Sequence, residues 1–68
     1  MSLSRLGPRD PEGYYVIKAL RGAEEVARRM LGPEVRVEEA GPYVLIRVKS
    51  RSKALRLLRA LERGKLLA

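Results

Sequence analysis

The stretch Val35-Arg36-Val37-Glu38-Glu39-Ala40-Gly41-Pro42-Tyr43-Val44-Leu45-Ile46-Arg47-Val48-Lys49 decides the fold. Val35 to Glu38 alternates apolar with charged residues, the period-two signature of a half-buried strand. Ala40-Gly41-Pro42 turns the chain, and Tyr43 to Lys49 returns as the most apolar strand of the protein. Two strands joined by so short a turn pair antiparallel.

Upstream, Tyr14-Tyr15-Val16-Ile17-Lys18-Ala19 is aromatic and β-branched and reads as a first strand. Beyond Gly22 the period becomes helical. Ala23, Val26, Ala27, Met30 and Leu31 share one face, and Glu24, Glu25, Arg28 and Arg29 share the other. The acids sit in the first turn and the arginines in the last, the order that complements the helix dipole. Gly32-Pro33 stops this helix. Downstream of the hairpin, Ser50 or Ser52 is placed to cap a last helix with the apolar stripe Ala54, Leu55, Leu57, Leu58 and Leu61. The stripe breaks near Gly64, and Lys65 to Ala68 frays or adds a turn. Residues 1–13, rich in proline and glycine, read as a flexible or irregular arm before a single domain over 14–68.

Strand, helix, strand, strand, helix is an α+β order. A helical crossover makes the first two strands parallel if they share a sheet. Together with the hairpin, this puts the third strand in the centre, in the order one–three–two. Both helices then cover one face of a two-layer βαββα domain, over Val35, Val37, Val44, Ile46 and Val48. The opposite face carries Tyr43, Leu45, Arg47 and Lys49 from the central strand, with Arg36 and Glu38 from the second. The first strand adds either Tyr14, Val16 and Lys18 or Tyr15, Ile17 and Ala19, and alternation alone leaves both open. Val16, Tyr43 and Leu45 are candidate interface residues on that face. The first strand has only Lys18 to blunt its free edge, which is therefore expected to accept another strand.

Composition narrows the chemistry. The 68 residues include neither cysteine nor histidine, so thiolate and imidazole chemistry and soft-metal ligation have no residues to perform them. No metal site and no cofactor are expected. Disulfides are excluded, and a chain of this length buries only about 60 % of its unfolded surface, so a homodimer is expected to supply further buried area, the plain alternative being the N-terminal arm folded over the open face or edge. No apolar run approaches the ~20 residues that span a bilayer, so a cytoplasmic protein with no membrane partner is expected. Missing amides and abundant charge match proteins made for high temperature. No Walker loop is present, because Gly32 and Gly41 are each followed by proline, which lacks an amide donor. Glu38 and Glu39 are consecutive and diverge on a strand, so they make no acid–base dyad. An enzyme is not expected.

Fifteen basic residues against eight acidic leave a net charge of +7. Arg56, Arg59 and Arg63 recur at i, i+3 and i+7 on the last helix, with Lys53 beside them and Arg51 at its start. Together with Arg47 on the sheet they form a candidate nucleic-acid surface. The plain alternative is a solvated helix face in an arginine-rich protein.

Three stretches are similar in pattern to a known family: the helix opening Gly22-Ala23-Glu24-Glu25-Val26-Ala27, the hairpin quoted above with glycine at its turn, and the serine-capped, leucine-rich helix Ser50 to Leu61. The stretch from Tyr15 to about Leu61 resembles the small dimerisation subunit of the KEOPS complex, the archaeal and eukaryotic assembly that makes threonylcarbamoyladenosine in transfer RNA. The connection at Gly32-Pro33 is shorter than the family's, and Gly64 falls where the family's last helix continues. The resemblance implies a non-catalytic dimeric scaffold whose helices contact a metal-dependent catalytic partner subunit and which helps to position transfer RNA. It makes Leu55, Leu58 and Arg59 partner-facing. The alternative is a freestanding small basic protein that binds RNA or DNA through its phosphates.

Overall fold

In the computed structural model, which describes residues 9–33 and 35–68, β1 spans Tyr15–Leu20 and α1 spans Ala23–Leu31. They are followed by β2 over Arg36–Ala40, β3 over Tyr43–Val48 and α2 over Arg51–Arg63. The sheet order is β1-β3-β2, with both neighbouring pairs antiparallel. The expected α+β order and the central position of the most apolar strand are both observed. Residues 1–8 of the expected arm lie outside the described residues.

The hairpin register follows from its turn. Ala40 pairs with Tyr43, leaving a two-residue loop. Gly41 there has a φ of +64°, and Pro42 restricts φ to about −65°. Positive φ at the first loop position and negative at the second is the type II′ requirement, and this turn's twist matches that of the flanking strands. The tip is held from outside: Arg21 donates to the Gly41 carbonyl from Nε at 3.1 Å and Nη2 at 2.9 Å.

The register also settles which face β1 buries. Ile17 lies opposite Ile46 and Ala19 opposite Val44, and all four are buried beneath the helices. Tyr15 joins them, so Val16 and Lys18 take the other face. From α1 the buried residues are Ala23 and Ala27, and from α2 Ala54, Leu57, Leu58 and Leu61. The short alanines of α1 bring that helix close to the sheet, while leucines from α2 fill the remaining depth. Ser50 rather than Ser52 caps α2, its hydroxyl accepting from the Lys53 amide at 3.3 Å.

Two expectations are corrected at the termini of the elements. After Arg63 the chain neither frays nor continues helical. The Leu66 amide donates to the Leu61 carbonyl at 2.8 Å and the Lys65 amide to Glu62 at 3.1 Å. That is the paired bonding of a Schellman turn, with Lys65 in the left-handed region at φ +57°. The reversal lays Leu66 to Ala68 along β1: Leu20 N donates to Leu66 O at 2.6 Å, Ala68 N to Lys18 O at 3.3 Å, and Ala19 bridges Leu67. The edge expected to accept a strand from another molecule is thus occupied, over Lys18 to Leu20, by this chain's own tail. At the other end of β1, Asp10 organises a turn. Its Oδ1 accepts from the amides of Glu12 at 3.0 Å and Tyr14 at 2.8 Å, fixing Tyr14 at the strand's entrance.

Candidate functional site

The face of the sheet away from the helices is a grid of three rows. Val16, Arg47 and Arg36 lie across the first row, Lys18, Leu45 and Glu38 across the second, and Leu20, Tyr43 and Ala40 across the third. Val16, Tyr43 and Leu45 are half-buried, and Leu20, at 36 % exposure, is the only exposed large aliphatic side chain among the described residues. An apolar diagonal from Val16 through Leu45 therefore runs between charged flanks.

Those charges are arranged rather than scattered. Arg36 and Arg47 are directly opposed, a like-charge pairing that destabilises a sheet unless the heads are drawn apart. Arg47 turns to Glu38, with which it forms a hydrogen-bonded ion pair, and its Nε lies 3.7 Å from Asp10 Oδ2. Arg36 turns instead to the Tyr14 ring, with its guanidinium carbon 5.7 Å from the ring centroid, and Lys49 Nζ lies 5.0 Å from the same ring. Lys18 Nζ lies 4.3 Å from the Tyr43 centroid, covering one side of the ring that base stacking would need. Cation–π contacts of this kind contribute about 0.5–1 kcal/mol at exposed positions.

The expected site residues divide. Arg51, Lys53, Arg56, Arg59 and Arg63 are all exposed on α2. Arg47 is on the sheet's other face and so is not part of that helical stripe. It meets only Lys53, at a cleft on the end of the sheet where β3 passes into α2. Leu55 is half-buried against the core. Leu58 is corrected: at 1 % exposure it packs among Leu57, Leu61 and the sheet and offers a partner almost no surface. Its position on the inner stripe of α2 signalled this, whereas the family resemblance pointed outward.

The cleft itself was not legible as a site. It holds about 300 Å³ and brings Tyr14, Arg36, Arg47, Lys49, Ser50 and Lys53 together over Leu31, Val35 and Val48. Its signal in the sequence was indirect, requiring Arg36 to be aligned with Arg47 and Tyr14 to precede the strand paired to β3. Among the described residues, no three carboxylates gather as metal ligands and no helix is long and apolar enough to cross a membrane.

Fold and surfaces together define a small two-layer βαββα protein whose mixed apolar and basic sheet face is uncovered among the described residues. No protein-family profile, curated protein or solved structure matches the chain.

Proposed function

We propose that this protein is a non-catalytic assembly subunit that works as a homodimer, its two copies meeting through their open sheet faces, in a KEOPS-like complex for transfer-RNA modification in the cytoplasm. The observation that carries the reading is the apolar diagonal of Val16 and Leu45, with Tyr43 and Leu20 beside it, left without a covering layer among the described residues. With the tail along β1, extension of the sheet across Lys18 to Leu20 is closed, and stacking of faces remains. A two-fold axis through Leu45 suits the grid, because it brings Lys18 of one copy towards Glu38 of the other and makes the contact self-complementary. The KEOPS assignment is supported by the resemblance of Tyr15 to Leu61 and by the βαββα order with the third strand central. Leu55, half-buried, and Arg59, exposed, are then the remaining candidates on α2 for the catalytic partner subunit.

Sedimentation equilibrium tests the reading. A dimer is expected whose dissociation constant changes little between low and high salt, and Leu45→Asp is expected to give a folded monomer. A monomeric native chain at all concentrations overturns it.

One observation favours a second reading, a freestanding RNA- or DNA-binding protein. Among the described residues none of the α2 cations Arg51, Lys53, Arg56, Arg59 and Arg63 has an ion-pair partner. Sedimentation with transfer RNA in the same salt series separates the two, because phosphate binding weakens linearly in log salt and dimerisation through apolar surface does not.

A further inference from the structure

We infer that the cleft at the β3–α2 junction is a receptor for a phosphate group, carried either by a free polyphosphate anion or by a nucleotide.

Four cationic side chains from three segments converge there: Arg36 from β2, Arg47 and Lys49 from β3 and its exit, and Lys53 from the first turn of α2. Among the described residues, no carboxylate lines the cleft. Arg47 is compensated, by Glu38 and Asp10. Arg36, Lys49 and Lys53 have no ion-pair partner among the described residues. Bringing like charges together costs free energy, most where the surroundings exclude water, and an anion seated between them reverses the sign of that term.

A further observation points the same way. The Tyr14 ring is already flanked by Arg36 and Lys49 at 5.7 and 5.0 Å. It is a positioning residue, holding both cations at the cleft instead of offering a face for a base to stack on. With stacking removed, the ligand's anionic group must supply the recognition. Three cations without an ion-pair partner among the described residues, approaching from different segments, suit a multiply charged, multi-oxygen group, and arginine pairs with phosphate in bidentate fashion. A single carboxylate would leave most of that charge uncompensated.

Calorimetric titration of the full chain at about 0.15 M ionic strength, where the diffuse field is screened beyond about 8 Å, tests the inference. Inorganic pyrophosphate is the first probe, with uridine 5′-monophosphate and uridine alongside it. Saturable one-site binding of pyrophosphate is expected, with uridine silent. Uridine 5′-monophosphate binding as tightly identifies the nucleotide as the source, and binding of pyrophosphate alone identifies the free anion. The double variant K49E/K53E is expected to weaken binding at least tenfold. R59E/R63E, which lowers the formal net charge by the same four units on the far part of α2, is expected to change it less than twofold. Equal losses in the two variants, or no saturable binding by the native chain, overturn the site. Amide shifts of Lys49, Ser50 and Lys53 in the native chain on titration locate the anion without any variant, and their absence overturns the site. Leu45→Asp is expected to retain binding, so failure here is distinguishable from failure of the dimer.

Discussion

The two faces of the sheet are built from the same strands by the same alternation, yet they do opposite work. On the helix side, Ile17, Ala19, Val44 and Ile46 are each 2 % exposed or less, with no charge among them. On the open side, the intervening residues Val16, Lys18, Leu45 and Arg47 mix aliphatic with basic side chains and none is fully buried. The closed packing therefore lies on one face, and the mixed, part-exposed surface on the other. Truncating two neighbours in β3 challenges that division most directly. Ile46→Ala, a large-to-small change in the closed core, is expected to cost about 2–5 kcal/mol in thermal or denaturant unfolding. Leu45→Ala, one residue away, is expected to cost under about 1 kcal/mol in the dilute monomer, because little of its surroundings is lost. Similar costs at both positions would mean that the open face belongs to the core.

The edges of the sheet differ as instructively as its faces. β2 is short, with Arg36, Glu38 and Glu39 exposed, the charged character that discourages further pairing. β1 lacks that protection and is covered over Lys18 to Leu20 by backbone instead. This contrast marks the boundary of what sequence reading resolved. Element order, helix limits and the central strand follow from periodicity, because buried faces impose a strict spacing on Ala23 to Leu31 and on Tyr43 to Val48. The face chosen by β1 did not follow, since Tyr14-Val16-Lys18 and Tyr15-Ile17-Ala19 are both plausible inner sets until the register with β3 is known. The fate of Leu66 to Ala68 did not follow either. It depends on Lys65 adopting a left-handed conformation next to Gly64, which invites the opposite expectation that glycine itself makes the turn. The cleft was hidden for a similar reason: Tyr14, Arg36 and the run from Arg47 to Lys53 lie apart in sequence and meet only through strand pairing.

The Schellman turn that directs the tail onto β1 gives the next prediction. Gly64 has a φ of −82°, so the left-handed position falls to Lys65, whose side chain makes that conformation unfavourable. Lys65→Gly is expected to raise stability by about 1 kcal/mol, seen as roughly 4–8 °C in the melting temperature of a domain this size. The same variant is expected to slow hydrogen exchange of the Leu20 amide, whose acceptor is the Leu66 carbonyl. Stabilisation without added protection at Leu20 would separate the turn from the edge it covers.

The smallest effect concerns the start of α1, where Gly22 at φ +106° provides no capping side chain. Glu24 substitutes by reaching back, its Oε1 accepting from the Gly22 amide at 2.8 Å. Bonds from its own amide and from that of Gly22 hold the Glu24 carboxyl below its ordinary value of 4.5, against a slight opposing effect of burial, and Arg28 and Arg21 lower it further. A carboxylate whose pKa is lower folded than unfolded binds fewer protons in the native state, so stability rises with pH across the interval between the two values. Its contribution is complete above pH 4.5 and disappears as pH falls through the lowered value. Glu24→Gln keeps a weaker acceptor and loses the charge at the positive end of the helix dipole, so it is expected to cost about 0.5 kcal/mol or less at pH 7. The difference between the two proteins should shrink steadily as unfolding is measured from about pH 5 down to about pH 3. A constant difference across that range would mean that the side chain acts on the helix through packing and not through its charge.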